Sequence, residues 1–185
     1  MASETSEVTG VFDKTTLANG MRVVTSTMPT AHSVGIGVFV LAGSRYESPE
    51  HAGISHFVEH LVFKGTERRP TPQDISGTVE GFGGEINAGT EQELTVYWCK
   101  VARPYLSECL DVVVDMLRNS VYDPAEMERE RGVILEEQSM VNDYPQQRVG
   151  QMLDDMMWPD HPLGRDIGGT RESISSITRE AVLKY

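Results

Sequence analysis

The chain has 185 residues, of which 39% are apolar and 24% are charged, and its formal net charge is -12. This length is enough for one ordinary domain that buries a core without disulfide or metal staples. The strong negative charge disfavours a nucleic-acid-binding protein and favours basic peptides as partners. No apolar stretch approaches the roughly 18 residues that a membrane span needs, so we expect no membrane segment.

The N-terminal residues and the cysteines bear on organisation and compartment. Residues 1–10 are rich in Ser, Thr and Glu and lack the features of a secretory signal or a transit peptide. We predict a disordered tail over residues 1–10, a single domain over residues 11–185 and a cytoplasmic location. Cys99 and Cys109 are too few for a disulfide framework, and Cys99 lies in an apolar run, so we interpret both as reduced core residues.

Two kinds of hydrophobic pattern alternate along the chain. Short runs rich in Val, Ile, Thr and aromatic residues, the first two joined by Ala18-Asn19-Gly20, predict strands. These strands cover residues 11–17, 21–27, 34–41, 85–89 and 94–102. Apolar residues at helical spacing, bounded by proline, glycine and capping residues, predict helices. The helices run from between 49 and 53 to about 65, then over 71–82, 106–117, 123–141 and 144–157, with a last one from 178. We therefore predict an α+β fold, an antiparallel-dominated mixed sheet with helices packed over it.

The run His56-Phe57-Val58-Glu59-His60 lies in the first predicted helix. Residues four apart share a helix face, so His56 and His60 can bind one metal ion. Neutral imidazole is a zinc ligand, and a catalytic zinc keeps three protein ligands and an open position for water. Glu59 lies on the same side and can take the proton of that water. The pattern predicts a catalytic zinc site, and two incidental histidines on a charged helix face are the plainer alternative.

A third ligand is sought among the glutamates of the helix over residues 123–141. They are Glu126, Glu128, Glu130, Glu136 and Glu137. Glu130 and Glu137 are seven residues apart and stand nearly in line, whereas Glu136 points about 100° away from Glu137. Spacing alone leaves Glu130 and Glu137 as alternatives.

The surroundings of these residues closely resemble the pitrilysin, insulysin and mitochondrial processing peptidase family, whose inverted signature is His-x-x-Glu-His. The resembling segments, closest to the processing-peptidase branch, are GISHFVEHLVFKGT (53–66), GGEINA (83–88), TVYW (95–98), ERERGVILEE (128–137) and HPLGR (161–165). In that family the position of the third zinc ligand falls on Glu137, and a glutamate seven residues earlier supports the site. The resemblance therefore implies one zinc ion per chain at His56, His60 and Glu137, with Glu130 orienting a ligand or the water.

The resemblance also implies a zinc-dependent endopeptidase that holds its substrate as an added strand. Asn87 and Ala88 occupy the positions that contact the peptide, although a simple turn after two glycines is the alternative. We expect a basic, unstructured peptide as substrate, and no nucleic acid or membrane as partner. Family members have two or four related domains, which implies a missing C-terminal domain or partner subunit, a dimer of the full-length protein and weak or no activity of this chain alone. A non-catalytic peptide-binding or assembly subunit of the same family is the alternative function.

Overall fold

A computed structural model describes the backbone of Thr5–Val8 and the whole of residues 12–185. Its contacts divide the chain into two compact units, residues 1–32 and residues 33–185. The α+β architecture with antiparallel sheets is confirmed. Whether the two units form one domain over residues 11–185 stays a prediction.

The first unit is a three-stranded antiparallel sheet in the order β1-β2-β3. Its strands are β1 (Thr5–Val8), β2 (Asp13–Thr16) and β3 (Arg22–Thr25). The predicted hairpin is confirmed, because Gly20 adopts a φ of 87° in the turn between β2 and β3. Residues 1–4 and 9–11 lie outside the described residues, so the start of the strand predicted over residues 11–17 is not described.

Strand β1 corrects part of the prediction for residues 1–10, which were expected to be disordered. Its four residues pair with β2 in antiparallel register, from Thr5 opposite Thr16 to Val8 opposite Asp13. The pairing is possible because the hairpin leaves one edge of β2 open, and such an edge is a template for a further strand. A polar composition therefore did not prevent strand formation here.

The second unit contains a three-stranded antiparallel sheet in the order β4-β6-β5. Its strands are β4 (Ser33–Val40), β5 (Glu85–Thr90) and β6 (Thr95–Ala102), close to their predicted bounds. Alternate residues of β6, from Thr95 to Val101, are buried, so one face of the sheet is covered. Strand β5 pairs with β6 alone, which leaves its other edge without a strand partner among the described residues.

Seven helices complete the described part of the second unit. They are α1 (Ile54–Leu61), α2 (Pro72–Glu80), α3 (Leu106–Asn119), α4 (Pro124–Asp143), α5 (Pro145–Met157), α6 (Arg171–Ser176) and α7 (Arg179–Lys184). The sequence analysis missed α6, because six residues show no clear hydrophobic period and Thr170 was not recognised as its cap. No helix within the described ranges is long and apolar enough to cross a membrane.

Two groups of buried apolar side chains meet at α1. The first lies between β6, α2 and α3, and includes Val62 just after α1. The second contains the inward residues of α1, namely Ile54, Phe57 and Leu61, packed with residues of α4, α6 and α7. Helix α1 is therefore surrounded by structure on most of its circumference.

The two cysteines lie in the first apolar group, as predicted, but the structure pairs them instead of leaving two separate thiols. Cys99 on β6 and Cys109 on α3 are joined by a disulfide bond in the structure. Packing of α3 across the buried face of β6 brings two residues that are ten apart in sequence within bonding reach. Their count alone could not reveal this proximity.

A buried carboxylate ties the segment after α1 to α3. Asp115, 1% exposed, accepts hydrogen bonds from Thr66 (2.7 Å), Arg69 (2.5 Å) and Asn119 (2.8 Å). Thr66 Oγ1 in turn accepts the backbone N–H groups of Arg68 and Arg69. The end of α1 is fixed to α3 by this network.

We expect Asp115→Ala to lower the free energy of unfolding by about 3–5 kcal/mol, because it leaves the mostly buried Arg69 cation with only an exposed partner and removes the acceptor of the Thr66 and Asn119 hydrogen bonds. Urea unfolding followed by circular dichroism measures the change. Asp111→Ala is the matched control, since Asp111 binds the same arginine from an exposed position and should cost less than about 1 kcal/mol. Equal losses for the two variants would contradict the assignment.

Candidate metal centre

Helix α1 follows Gly53, its N-cap residue, and the side chain of Glu47 binds the backbone at its start. Gly53 has a φ of 88°, and a Cβ there would lie 2.8 Å from the carbonyl oxygen of Gly168. The buried carboxylate of Glu47 accepts the backbone N–H of Gly53 at 2.7 Å and of Ser55 at 2.8 Å. These bonds satisfy first-turn donors and set where the helix starts.

The apolar face of α1 determines where its polar residues point. Phe57 and Leu61 are buried in the second apolar group, 0% and 1% exposed. His56 and His60 lie on another face, towards α4, and Ile134 of α4 is buried in the same group. The predicted meeting of the two helices is confirmed.

Three side chains meet between α1 and α4 with the spacing of metal ligands. The two Nε2 atoms of His56 and His60 lie 3.2 Å apart, and Glu137 Oε2 lies 3.9 Å and 3.6 Å from them. In a tetrahedral zinc site with bonds of about 2.0–2.1 Å, neighbouring ligand atoms lie about 3.3 Å apart. The point in the plane of the three atoms that is equally far from all of them lies about 2.1 Å from each, which is the length of a zinc bond. Their arrangement fits a zinc ion with little movement.

The environment of His56 favours the form of the ring that binds metals. Burial, together with the neighbouring imidazole of His60, holds the pKa of His56 below its ordinary value. Its Nδ1 is buried and has no hydrogen-bond partner among the described residues. A neutral imidazole near pH 7 is the ligand form that zinc requires.

Glu130 contacts the ring of His60 on the side away from the cluster and is not part of the cluster itself. Its Oε2 lies 3.1 Å from His60 Nδ1, and its Oε1 lies 2.8 Å from Lys64 Nζ. A carboxylate on Nδ1 makes that nitrogen the proton-bearing one and leaves Nε2 free for a metal. Geometry thus separates Glu130 from Glu137, which spacing along the helix did not.

Glu59 points from α1 towards the end of strand β5. Its Oε2 accepts a hydrogen bond from Thr90 Oγ1. His56, Glu59 and Glu137 line one cleft of about 590 Å³, together with Gly89 and Thr90 of β5. Glu59, which lies outside the cluster of candidate ligands, therefore faces the same open space as His56 and Glu137.

The remaining histidines stay outside this cluster. His51 Nδ1 lies 3.1 Å from Ser48 Oγ, and His161 Nδ1 accepts the backbone N–H of Leu163. In the described part of the chain, His56, His60 and Glu137 form the group whose spacing suits a metal ion.

The comparisons with known proteins agree with this geometry. Residues 22–171 match the family described as Insulinase (Peptidase family M16). The chain belongs to this insulinase family. A Bacillus subtilis protein named "Uncharacterized zinc protease YmxG" is 39% identical over 170 residues, which are 92% of this chain and 41% of the relative. An Arabidopsis thaliana protein named as a probable mitochondrial-processing peptidase subunit beta is 41% identical over 171 residues, 92% of this chain and 32% of the relative.

Solved structures show the same fold. A protease from Helicobacter pylori superimposes with a TM-score of 0.88 at 26% identity, over 94% of this chain and 42% of the other. Pitrilysin superimposes with a TM-score of 0.80 over 96% of this chain and 20% of the other, and at 23% identity it shows the fold alone. The insulinase-family chain thus spans less than half the length of these relatives.

Asn87 and Ala88, the predicted peptide-binding residues, lie in the middle of β5. The Ala88 backbone N–H donates to the Asn87 side-chain oxygen at 2.8 Å. The structure places them in a strand with an open edge, not in the turn that was the alternative. Whether they contact a peptide stays a prediction.

Four residues around the insulinase-family site carried no signal in the sequence analysis. They are Glu47 in the loop before α1, Lys64 just after α1, Thr90 at the end of β5, and Asp166 in the loop before α6. Asp166 lines the cleft, and burial raises its pKa above the ordinary range. Lys64 contacts Glu130 and Thr90 contacts Glu59 across long stretches of sequence, so no local spacing could single these two out.

We expect Glu137→Gln to weaken zinc binding by more than about a hundredfold, since losing a direct ligand should exceed the about 10- to 100-fold cost of losing an outer contact. Competition with a chromophoric chelator measures the affinity. Glu136→Gln is the matched control, because it makes the same change one residue earlier on a different side of α4. The ligand assignment fails if both variants keep the parent affinity.

Proposed function

We propose that this chain is the zinc-binding part of a zinc-dependent endopeptidase, with one zinc ion held by His56, His60 and Glu137. The observation that carries the proposal is the close approach of these three ligand atoms, with His56 and Glu137 lining the same cleft as Glu59. Relatives named as zinc proteases and as a processing peptidase subunit support the same reading. A metal-binding scaffold without hydrolytic activity would have no use for Glu59.

A zinc ion in this site would acidify a water molecule and polarise the peptide carbonyl group. The residues of the chain supply the proton transfer and orient a ligand. Glu59 accepts the proton of the attacking water and passes it to the leaving amine. Glu130 keeps His60 in the required tautomer and orientation.

The substrate would bind along the open edge of β5. A peptide added to that edge forms backbone hydrogen bonds with little regard to its sequence, and Asn87 and Ala88 lie where it would pass. The Ala88 N–H now donates to the Asn87 side chain, so a bound peptide would have to replace that hydrogen bond. An extended, unstructured peptide suits this mode, and the net charge of -12 favours a basic one.

Efficient cleavage would need more than these 185 residues. The chain spans 41% and 32% of two relatives that it matches. We propose that a C-terminal domain or partner subunit completes the cleft, that the full-length protein is a dimer, and that this chain alone binds zinc but cleaves peptides weakly or not at all. Electrostatic stabilisation of the oxyanion is the contribution that such a second part would supply.

We expect Glu59→Gln in the full-length protein to retain zinc and peptide binding while cleavage falls by at least about a hundredfold, because the amide cannot accept the proton. Turnover of an internally quenched, basic peptide at matched zinc occupancy measures the effect. Equal turnover of parent and variant would remove Glu59 from the role of base.

The control for this experiment is Glu136→Gln, which removes a nearby carboxylate from the other side of α4. It should leave turnover unchanged. The 185-residue chain, assayed beside the full-length protein, shows whether the second part is needed.

Binding to an edge strand predicts a dependence on alternate backbone amides of the peptide. Single N-methyl groups placed along a peptide should weaken binding by about tenfold at every second position near the cleavage site, because only alternate N–H groups face β5. Binding to the zinc-loaded Glu59→Gln protein, measured by fluorescence anisotropy, tests this without cleavage. A loss that is uniform along the peptide would argue against strand addition.

A further inference from the structure

The contact between Glu59 and Thr90 joins α1 to the end of strand β5. Thr90 is the last residue of β5 and lies opposite Thr95 in the β5–β6 pairing. Its hydroxyl oxygen is 2.5 Å from Glu59 Oε2. Among the described residues, Glu59 Oε1 takes part in no hydrogen bond, so one oxygen of the carboxylate is held and the other is available.

The hydroxyl protons of the two threonines can be assigned. Thr95 Oγ1 lies 2.9 Å from the carbonyl oxygen of Ala42, which can only accept, so Thr95 uses its one proton there. An ionised Glu59 also can only accept, so the one proton of Thr90 points at Glu59. The two hydroxyl oxygens lie 3.3 Å apart, but neither has a proton left to donate to the other, so they are in contact without a hydrogen bond.

Thr90 is a stiffer element than the side chain that it contacts. Its backbone is held by the β5–β6 pairing, and a β-branched residue has few χ1 choices. Glu59 is longer, partly exposed to the cleft and has more rotatable bonds, so its carboxylate has more freedom to lose. A fixed donor at one oxygen reduces that freedom.

We propose that Thr90 is the positioning residue for the general base. This inference rests on the proposed function, in which Glu59 takes the proton of the attacking water. Thr90 holds Oε2 and leaves Oε1 available to the cleft that His56 and Glu137 also line. Because Thr90 lies two residues beyond Ala88, the strand that would receive the peptide also orients the base.

Thr90→Val tests the inference, since it keeps the shape and β-branching of the side chain and removes the hydroxyl. In the full-length, zinc-loaded protein we expect kcat to fall by about tenfold or more, with KM and zinc occupancy unchanged. Thr90→Ser restores the donor and should stay within about threefold of the parent kcat. Thr78→Val is the matched control, because it removes a hydroxyl that bonds only a carbonyl oxygen within α2.

The probe is an internally quenched, basic, unstructured peptide. A parent-like kcat in Thr90→Val overturns the inference. So does a rise in KM at constant kcat, which would mean that Thr90 serves the peptide, and so does a Thr90→Ser variant as slow as Thr90→Val.

Crystal structures of metal-free parent and Thr90→Val supply a readout that does not depend on turnover. We expect Glu59 to have one side-chain position in the parent and a displaced or multiple position in the variant. If the parent itself does not cleave the peptide, that failure belongs to the proposed function. The position of Glu59 then decides the inference, and an unmoved carboxylate overturns it.

Discussion

The burial of α1 between two groups of apolar side chains is the constraint on which the site depends. Eight residues are too few to form a stable helix in water, so α1 exists because Ile54, Phe57 and Leu61 are enclosed by α4, α6 and α7. Enclosing that face fixes the rotation of the helix. His56 and His60 then face α4 at the level of Glu137, so this packing brings together the three candidate ligands.

Contacts from elsewhere in the chain hold both ends of this helix. At its start, Glu47 binds first-turn backbone donors, and the guanidinium of Arg165 donates to the Glu47 carbonyl oxygen. Beyond its end, Thr66 is held by the buried Asp115 of α3. A short helix held at both ends has little freedom to rotate or slide, so its side chains are preorganised for a ligand.

Three glutamates near the site have three different environments, and the environments separate their roles. The Glu130 side chain is 8% exposed, and its charge is balanced by Lys64 and bonded to His60, so it is committed to holding the imidazole. Glu137 is 38% exposed and faces the two free imidazole nitrogens. Glu59 lies beside them with one oxygen bonded to Thr90. A buried charge that is paired serves structure, whereas the more exposed carboxylates are free to bind or to accept a proton.

The sequence by itself determined the local features of this protein. Helical spacing put His56, Glu59 and His60 on related faces, Asp123 marked the start of α4, and the family resemblance selected Glu137 over Glu130, an assignment that stays a prediction. Patterns of this kind depend on residues a few positions apart, so they can be recognised without knowing the fold.

Only the tertiary structure decided which distant residues meet. It paired Thr5–Val8 with β2, joined Cys99 to Cys109, placed Lys64 on Glu130 and brought Thr90 to Glu59. None of these contacts follows from a repeat or a spacing, because each joins segments that are brought together by an open strand edge or by the packing of apolar faces. Contacts such as Lys64 with Glu130 and Thr90 with Glu59 were therefore hidden from the sequence, while the candidate ligands and the candidate base were visible.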